Sequence, residues 1–231
     1  MADIMNTLPS FSYAALGGIL PALVWLWFWA QEDKLHPEPR SRILTAFLGG
    51  MAMVPFAYFP EKAIAEHYGF APQTFFLWAV VEECLKLSAA WLFALRTRDF
   101  DEPIDALEYM ITVALGFAAL ENALFILNPL VDGDTMRSLV TGNMRFVGAS
   151  LLHVVCSAIL GYSMAREFYK SRAAQNIWRM LGLALAIGLH AVFNLFIIYD
   201  NGSKTFFVFG CVWAAALGIL LLFEKAKKLH N

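Results

Sequence analysis

Apolar residues in this chain run in blocks long enough to cross a bilayer. Seven stretches of roughly 20 mostly apolar residues lie at about 10 to 30, 42 to 60, 72 to 95, 104 to 127, 145 to 165, 177 to 199 and 205 to 223. The connectors between them are short and hold turn chemistry, as in His36-Pro37-Glu38-Pro39, Ala71-Pro72, Asp132-Gly133-Asp134 and Asn201-Gly202. None of the blocks breaks into the alternating ten-residue segments of a membrane barrel, so the spans are predicted to be helices. The expected architecture is an all-α, polytopic membrane helical bundle of about seven transmembrane helices. It forms a single integral membrane domain over 1–231, with its working core at about 72–199.

Composition agrees with this pattern. The chain is 59% hydrophobic and only 16% charged, with mean hydropathy +0.58, where soluble domains average about 45–50% apolar and about 25% charged. The net charge of −2 matters less than where the cations fall. Twelve of the 17 Lys and Arg residues occupy the odd-numbered connectors and the C-terminal tail. The positive-inside rule therefore predicts an outside N-terminus and a cytoplasmic C-terminus, with Trp27, Trp29, Trp91 and Trp178 near the cytoplasmic interface. Asp3 rather than a basic cluster precedes the first span, and the span is too long for a cleaved leader, so it is expected to stay as an anchor. Cys84, Cys156 and Cys211 show no spacing pattern, which argues against a disulfide framework or a cysteine zinc site. The basic residues are scattered among connectors without an aromatic reading surface, so no nucleic-acid partner is expected.

Against this apolar background stand Glu82, Glu83, Lys86, Glu121, His153 and His190, each inside a span. Ionisable groups at such depth are costly and usually functional. At about 1.5 Å of rise per residue, Glu82 lies ~15 Å below the outer end of its span, Glu121 ~9 Å, His153 ~12 Å and His190 ~13 Å. Four spans thus bring polar groups to one layer, and if these face inward they line one pocket open to the outer side. Lys86 stands at i+4 from Glu82 and i+3 from Glu83, His190 and Asn194 are i, i+4, and Phe117 and Glu121 repeat that interval. Two neighbouring carboxylates in a low dielectric resist joint ionisation and share a proton, so the pair can offer a base and an acid. Water activation for peptide hydrolysis suits such a group: Lys86 would keep one carboxylate ionised, and Asn194 and a histidine would donate to a developing oxyanion. The same residue types on several helices could instead hold a divalent metal that activates water. An ion-coupled transporter is a further reading of intramembrane carboxylates and histidines.

The ordered motifs Glu82-Glu83-x-x-Lys86, Phe117-x-x-x-Glu121-Asn122, a lone His153 and His190-x-x-x-Asn194 resemble the PrsW family of intramembrane proteases. They resemble more distantly the superfamily of CAAX prenyl endopeptidases and bacteriocin-immunity proteins. The segments Asp33 to Pro39 and Phe100 to Asp105 are also similar to PrsW, so the likeness runs from about residue 33 to 195. It departs at His36, where an acidic residue is expected before Pro37, and at Ala106, where glycine often follows Asp105. The resemblance implies an endopeptidase that cuts a membrane-anchored, anti-sigma-factor-like single-span protein near the extracytoplasmic side, in a bacterial cytoplasmic membrane. It implies catalytic roles for Glu82 and Glu83, with Glu121, His153 and His190 completing the site and Asn194 supporting it; the residues' own chemistry adds Lys86 to the catalytic group and allows a metal, zinc foremost, held among Glu83, Glu121, His153 and His190. The APH subunit of gamma-secretase also looks related, so a non-catalytic scaffold is the alternative; the intact Glu82-Glu83 pair favours the enzyme. Asp105 and Glu108 are expected to serve the dipole at the start of their helix, and Pro21 and Pro55 to bend theirs.

Overall fold

The computed structural model describes residues 2–34, 36–199 and 203–229, and the side chains from residue 9 onward. The predicted turn at Asn201-Gly202 lies outside the described residues. Among these residues the chain forms eight α-helices: α1 (Ala2–Trp29), α2 (Arg40–Tyr68), α3 (Pro72–Ala90), α4 (Asp105–Val131), α5 (Thr135–Met144), α6 (Ser150–Arg166), α7 (Arg172–Asn194) and α8 (Thr205–Ala226). Three π-helical turns continue them at Trp91–Leu95, Arg145–Ala149 and Leu195–Tyr199. Six of the resulting rods are long and apolar enough to cross a membrane. The seventh, α3 with its π turn, matches the predicted stretch at 72 to 95 but carries Glu82, Glu83 and Lys86.

Three boundaries differ most from the sequence reading, the first being that of α1, which already begins at Ala2. Helix α2 continues past Pro60 to Tyr68, where Gly69 at φ 64° ends it and returns its N–H to the Ala65 carbonyl at 2.9 Å. The carbonyls freed by Pro55 and Pro60 do not stop a membrane helix, whose neighbours can satisfy them. The fifth rod starts ten residues early, at Thr135, because Asp134 caps α5 by accepting the Arg137 N–H and the chain passes through Arg145 without breaking.

Helices α4 and α6 are buried on nearly every side, and α1, α2, α3, α7 and α8 pack around them. An all-round apolar helix belongs at the centre of a bundle. Small residues let the backbones close in: a Cβ on Gly116 would sit 1.9 Å from the Phe47 carbonyl oxygen, and one on Gly50 would sit 2.1 Å from that of Val113. Ala106, fully buried, packs its carbonyl against Gly161 of α6, so the room comes from the facing helix. Side chains on the outer faces, such as Phe59, Leu185, Phe206 and Leu217, are exposed and apolar, as lipid contact requires.

One end of the bundle is polar and cross-linked. Arg42 donates to Asp99 at 2.6 Å, Tyr109 donates to Glu38, Lys227 pairs with Glu32 at 3.1 Å, and His36 stands 3.7 Å from Glu102. The Asp105 carboxylate caps its own turn by accepting the N–H groups of Asp101 and Glu102. The segments around Glu38 and Asp99 to Asp105 therefore meet at the foot of α4. Trp29 points inward and stacks on Phe223, while Trp27 is exposed. The three cysteines are free.

Candidate active site

The inward stripe of α3 reads Ala79, Glu82, Glu83, Lys86, Ala89 and Ala90, the i, i+3, i+4, i+7 spacing of a core face. Three polar residues thus stand where apolar ones would pack, and all three are buried, with Glu83 and Lys86 at 0% exposure. Opposite them α6 presents His153, and α7 presents His190 and Asn194 one turn apart, all buried. Glu121 enters from α4.

The contacts sort these groups by role. Glu83 Oε1 accepts from the Lys86 ammonium at 2.6 Å and lies 2.7 Å from His190 Nδ1. Glu82 is looser: its Oε2 is 3.7 Å from Lys86 Nζ, 3.8 Å from His190 Nε2 and 4.0 Å from His153 Nδ1, and no hydrogen bond reaches it. His153 bridges Lys86 through Nδ1 at 2.7 Å and Glu121 through Nε2 at 3.0 Å. Glu121 is paired in turn with Arg145 at 2.6 Å, and that guanidinium also donates to the Asn122 amide oxygen at 2.5 Å. Asn122 donates onward to Ser150 at 2.9 Å. The histidine rings meet edge to face at 5.1 Å, and Lys86 Nζ lies 5.0 Å from the centre of the Phe117 ring.

A cavity of about 540 Å³ opens onto this cluster, and Glu82, Glu121, His153, His190 and Asn194 line it while Glu83 and Lys86 stay behind the wall. It extends along α2 to Glu61 and Lys62, and the π turns contribute Arg145 on one side and Ile197 on another. A π turn re-aims side chains within a helix and is frequent at functional sites.

Sequence reasoning missed Arg145 and Glu61. Arg145 read as a topology charge at a span edge; its signal was a cation at the start of a helix that also bears His153. Glu61 lay beyond the predicted end of the second span, yet it reaches the cavity with a buried, unpartnered Oε1.

A metal can be tested against these donors. Glu82, His153 and His190 bring one ligand atom each within 4.8 Å of one another. Two atoms that each lie about 2.0–2.2 Å from a common zinc can be no more than about 4.4 Å apart. Two of the three distances, 3.8 and 4.0 Å from Glu82 to the two rings, meet that limit, and the two ring nitrogens lie within 4.8 Å of each other. An orphaned buried carboxylate oxygen facing two imidazoles is a donor set that fits zinc, and Glu83 holding His190 by the opposite nitrogen is the usual support for a ligating histidine. Lys86 competes for His153 Nδ1, so an ion there requires the ammonium to rest on Glu83. The ligand set read from the sequence shares His153 and His190 with this group. Its other two members, Glu83 and Glu121, are paired with Lys86 and Arg145, and the carboxylate that this group offers is Glu82.

Comparison with known proteins agrees. The family described as PrsW family intramembrane metalloprotease matches residues 38–222. The chain is similar to the Protease PrsW of Geobacillus kaustophilus, 28% identical over 181 residues that cover 77% of this chain and 76% of that one. It is 24% identical over 217 residues to the Protease PrsW of Oceanobacillus iheyensis, covering 93% and 95%. It is 25% identical over 180 residues to that of Bacillus subtilis, covering 77% and 79%. No solved structure matches. Scaffold and transporter readings find no support among these relatives. From residue 38 to residue 222 the match takes in every group of the buried cluster, and the chain belongs to the PrsW family of intramembrane metalloproteases.

Proposed function

We propose that this membrane protease hydrolyses a peptide bond of a single-span, anti-sigma-factor-like protein near the extracytoplasmic side of a bacterial cytoplasmic membrane. The observation that supports the reading best is the convergence of Glu82, His153 and His190, from three helices, on one cavity, with Glu82 Oε2 buried and unpartnered. The whole chain acts as one membrane domain with its catalytic core at about 72–199, the N-terminus outside and the C-terminus cytoplasmic.

Glu82, His153 and His190 would hold the ion, with zinc the best match to two imidazoles and a carboxylate. When bound, it would polarise the scissile carbonyl and make water a nucleophile near neutral pH. The other residues prepare the site. Glu83 orients His190 by accepting its Nδ1–H, which leaves Nε2 turned toward Glu82. Lys86 compensates the Glu83 charge, without which a fully buried carboxylate would be strongly unfavourable. Arg145 does the same for Glu121, which in turn holds His153. Asn194, one turn beyond His190, offers an amide donor to a carbonyl oxygen as charge develops on it. The cavity runs from the cluster toward Lys62 and Ala65, so a substrate segment unwound near the outer end of its span can reach Glu82. An apolar lining with few polar groups suits such a segment, because it withholds water from all but the reacting bond.

Reconstitution in liposomes with a panel of single-span proteins tests this. Wild-type protein is expected to cleave at least one member, and Glu82→Gln and His190→Ala to abolish cleavage without loss of folded protein. Elemental analysis of the active protein is expected to find one zinc per chain. Full activity in Glu82→Gln would remove that glutamate from the reaction, and active protein without stoichiometric metal would leave a glutamate-only mechanism.

A further inference from the structure

A second cavity, of about 590 Å³, lies away from the cluster, where the π turn after α3 meets the start of α7. Arg96, Arg172 and Arg179 line it, and none of its lining residues is acidic. Other arginines of the bundle have carboxylate partners: Arg42 has Asp99, Arg145 has Glu121 and Arg166 has Glu167. These three have no ion pair among the described residues. Arg172 and Arg179 stand two turns apart on one face of α7. Arg179 reaches inward, with its guanidinium 4.9 Å from the centre of the Trp91 ring and its Nε buried without a partner. Three convergent cations without a counter-charge mark a place where an anion lowers the free energy, and a planar guanidinium suits the oxygens of a phosphate.

The walls say which anion. Trp91, Leu95, Met164 and the edge-to-face pair Phe100–Phe168 form an apolar wall beside the arginines, with Thr97 and Gln175 completing the lining. Arg172 opens the helix and Arg179 lies ~10 Å farther along the span, so the charge leads from the rim inward along the helices. A free phosphate would use the arginines and leave the apolar wall bare; a phospholipid headgroup uses both. We propose that this cavity binds the headgroup of an anionic phospholipid, its phosphate on Arg96, Arg172 and Arg179 and its glycerol end against Trp91 and Leu95. Basic pockets between membrane helices commonly take such headgroups, and the occupied site would tie α3 to α7, the two helices that bear Glu82 and His190.

Native mass spectrometry of the full-length protein, released from neutral micelles, tests this. The protein is titrated with phosphatidylglycerol, with phosphatidylcholine, and with excess inorganic phosphate as competitor. One phosphatidylglycerol is expected to bind in clear preference to phosphatidylcholine and to resist phosphate. Arg96→Gln/Arg172→Gln changes two exposed side chains and is expected to weaken that first lipid about thirtyfold, at about fivefold for each basic residue. Arg98→Gln, outside the cavity, carries off a neighbouring charge and is expected to change nothing. Equal binding of the two lipids, unchanged affinity in the double variant, an equal loss in Arg98→Gln, or displacement by phosphate would each overturn the proposal; the last would identify a free anion instead.

Discussion

Removing the Lys86 ammonium tests the electrostatic logic of the site most directly. Its Nζ lies 2.6 Å from Glu83 and 3.7 Å from Glu82, all within a fully buried stripe. At an effective dielectric of ~20 the closer attraction is worth about 6 kcal/mol and the farther about 4 kcal/mol, before desolvation is set against them. Lys86→Met leaves both carboxylates without a cation on their own helix, and breaking a buried pair in this way costs about 3–5 kcal/mol. In Glu83→Gln/Lys86→Met the stronger of the two attractions has lost both partners, so most of the uncompensated charge is gone. The double variant is expected to regain at least about 2 kcal/mol over Lys86→Met alone, while Glu82 keeps part of the deficit. Equilibrium unfolding by SDS in mild micelles, followed by tryptophan fluorescence, measures each corner of the cycle. A double variant whose loss equals the sum of the single losses, within about 0.5 kcal/mol, would refute the ion pair as the group that makes Glu83 tolerable.

Further predictions follow from other parts of the bundle. Gly116→Ala and Gly50→Ala drive a Cβ into the Phe47 and Val113 carbonyl oxygens, backbone atoms that cannot rotate away, and are expected to cost about 3 kcal/mol each. Gly188→Ala meets nothing within 4 Å and is expected to be neutral or slightly stabilising in the same unfolding assay. Burial pushes the Glu38 carboxyl up to about 8, with the Asp105 charge adding and the Tyr109 hydroxyl opposing. The folded chain therefore binds more protons than the unfolded one between the ordinary carboxyl value and about 8, and stability is expected to fall as pH rises through that window. Thermal midpoints across that range check the slope, which Glu38→Gln should flatten; an unchanged slope would assign the dependence to other groups. For topology, an impermeant maleimide applied to intact cells is expected to label Met136→Cys and to spare Arg98→Cys, and the reverse pattern would invert the bundle.

How much of this could be read from the chain follows from what each feature depends on. Helices were legible because their signal is local: twenty apolar residues have few alternatives in lipid, and the ends that escaped most, at Ala2, Tyr68 and Thr135, lie where the apolar run gives way to polar residues while the helix continues. The make-up of the buried cluster was legible for the same reason, since Glu82, Glu83, Lys86, Glu121, His153 and His190 are each conspicuous in an apolar run. Their division of labour was not. Glu82 and Glu83 are adjacent in sequence and both face inward, but successive helical positions differ by about 100° of rotation. That turn takes Glu83 behind the wall to Lys86 and His190 Nδ1, and leaves Glu82 Oε2 bare beside the cavity. The partner that decides each role comes from another helix: His190 is 107 positions from Glu83, and Arg145 is 24 from Glu121. Spacing along one helix can tell that carboxylates share a face. Only the packing of α6 and α7 against α3 tells which of them is already held by short hydrogen bonds to a cation and an imidazole, and which keeps an oxygen free of hydrogen bonds beside the cavity.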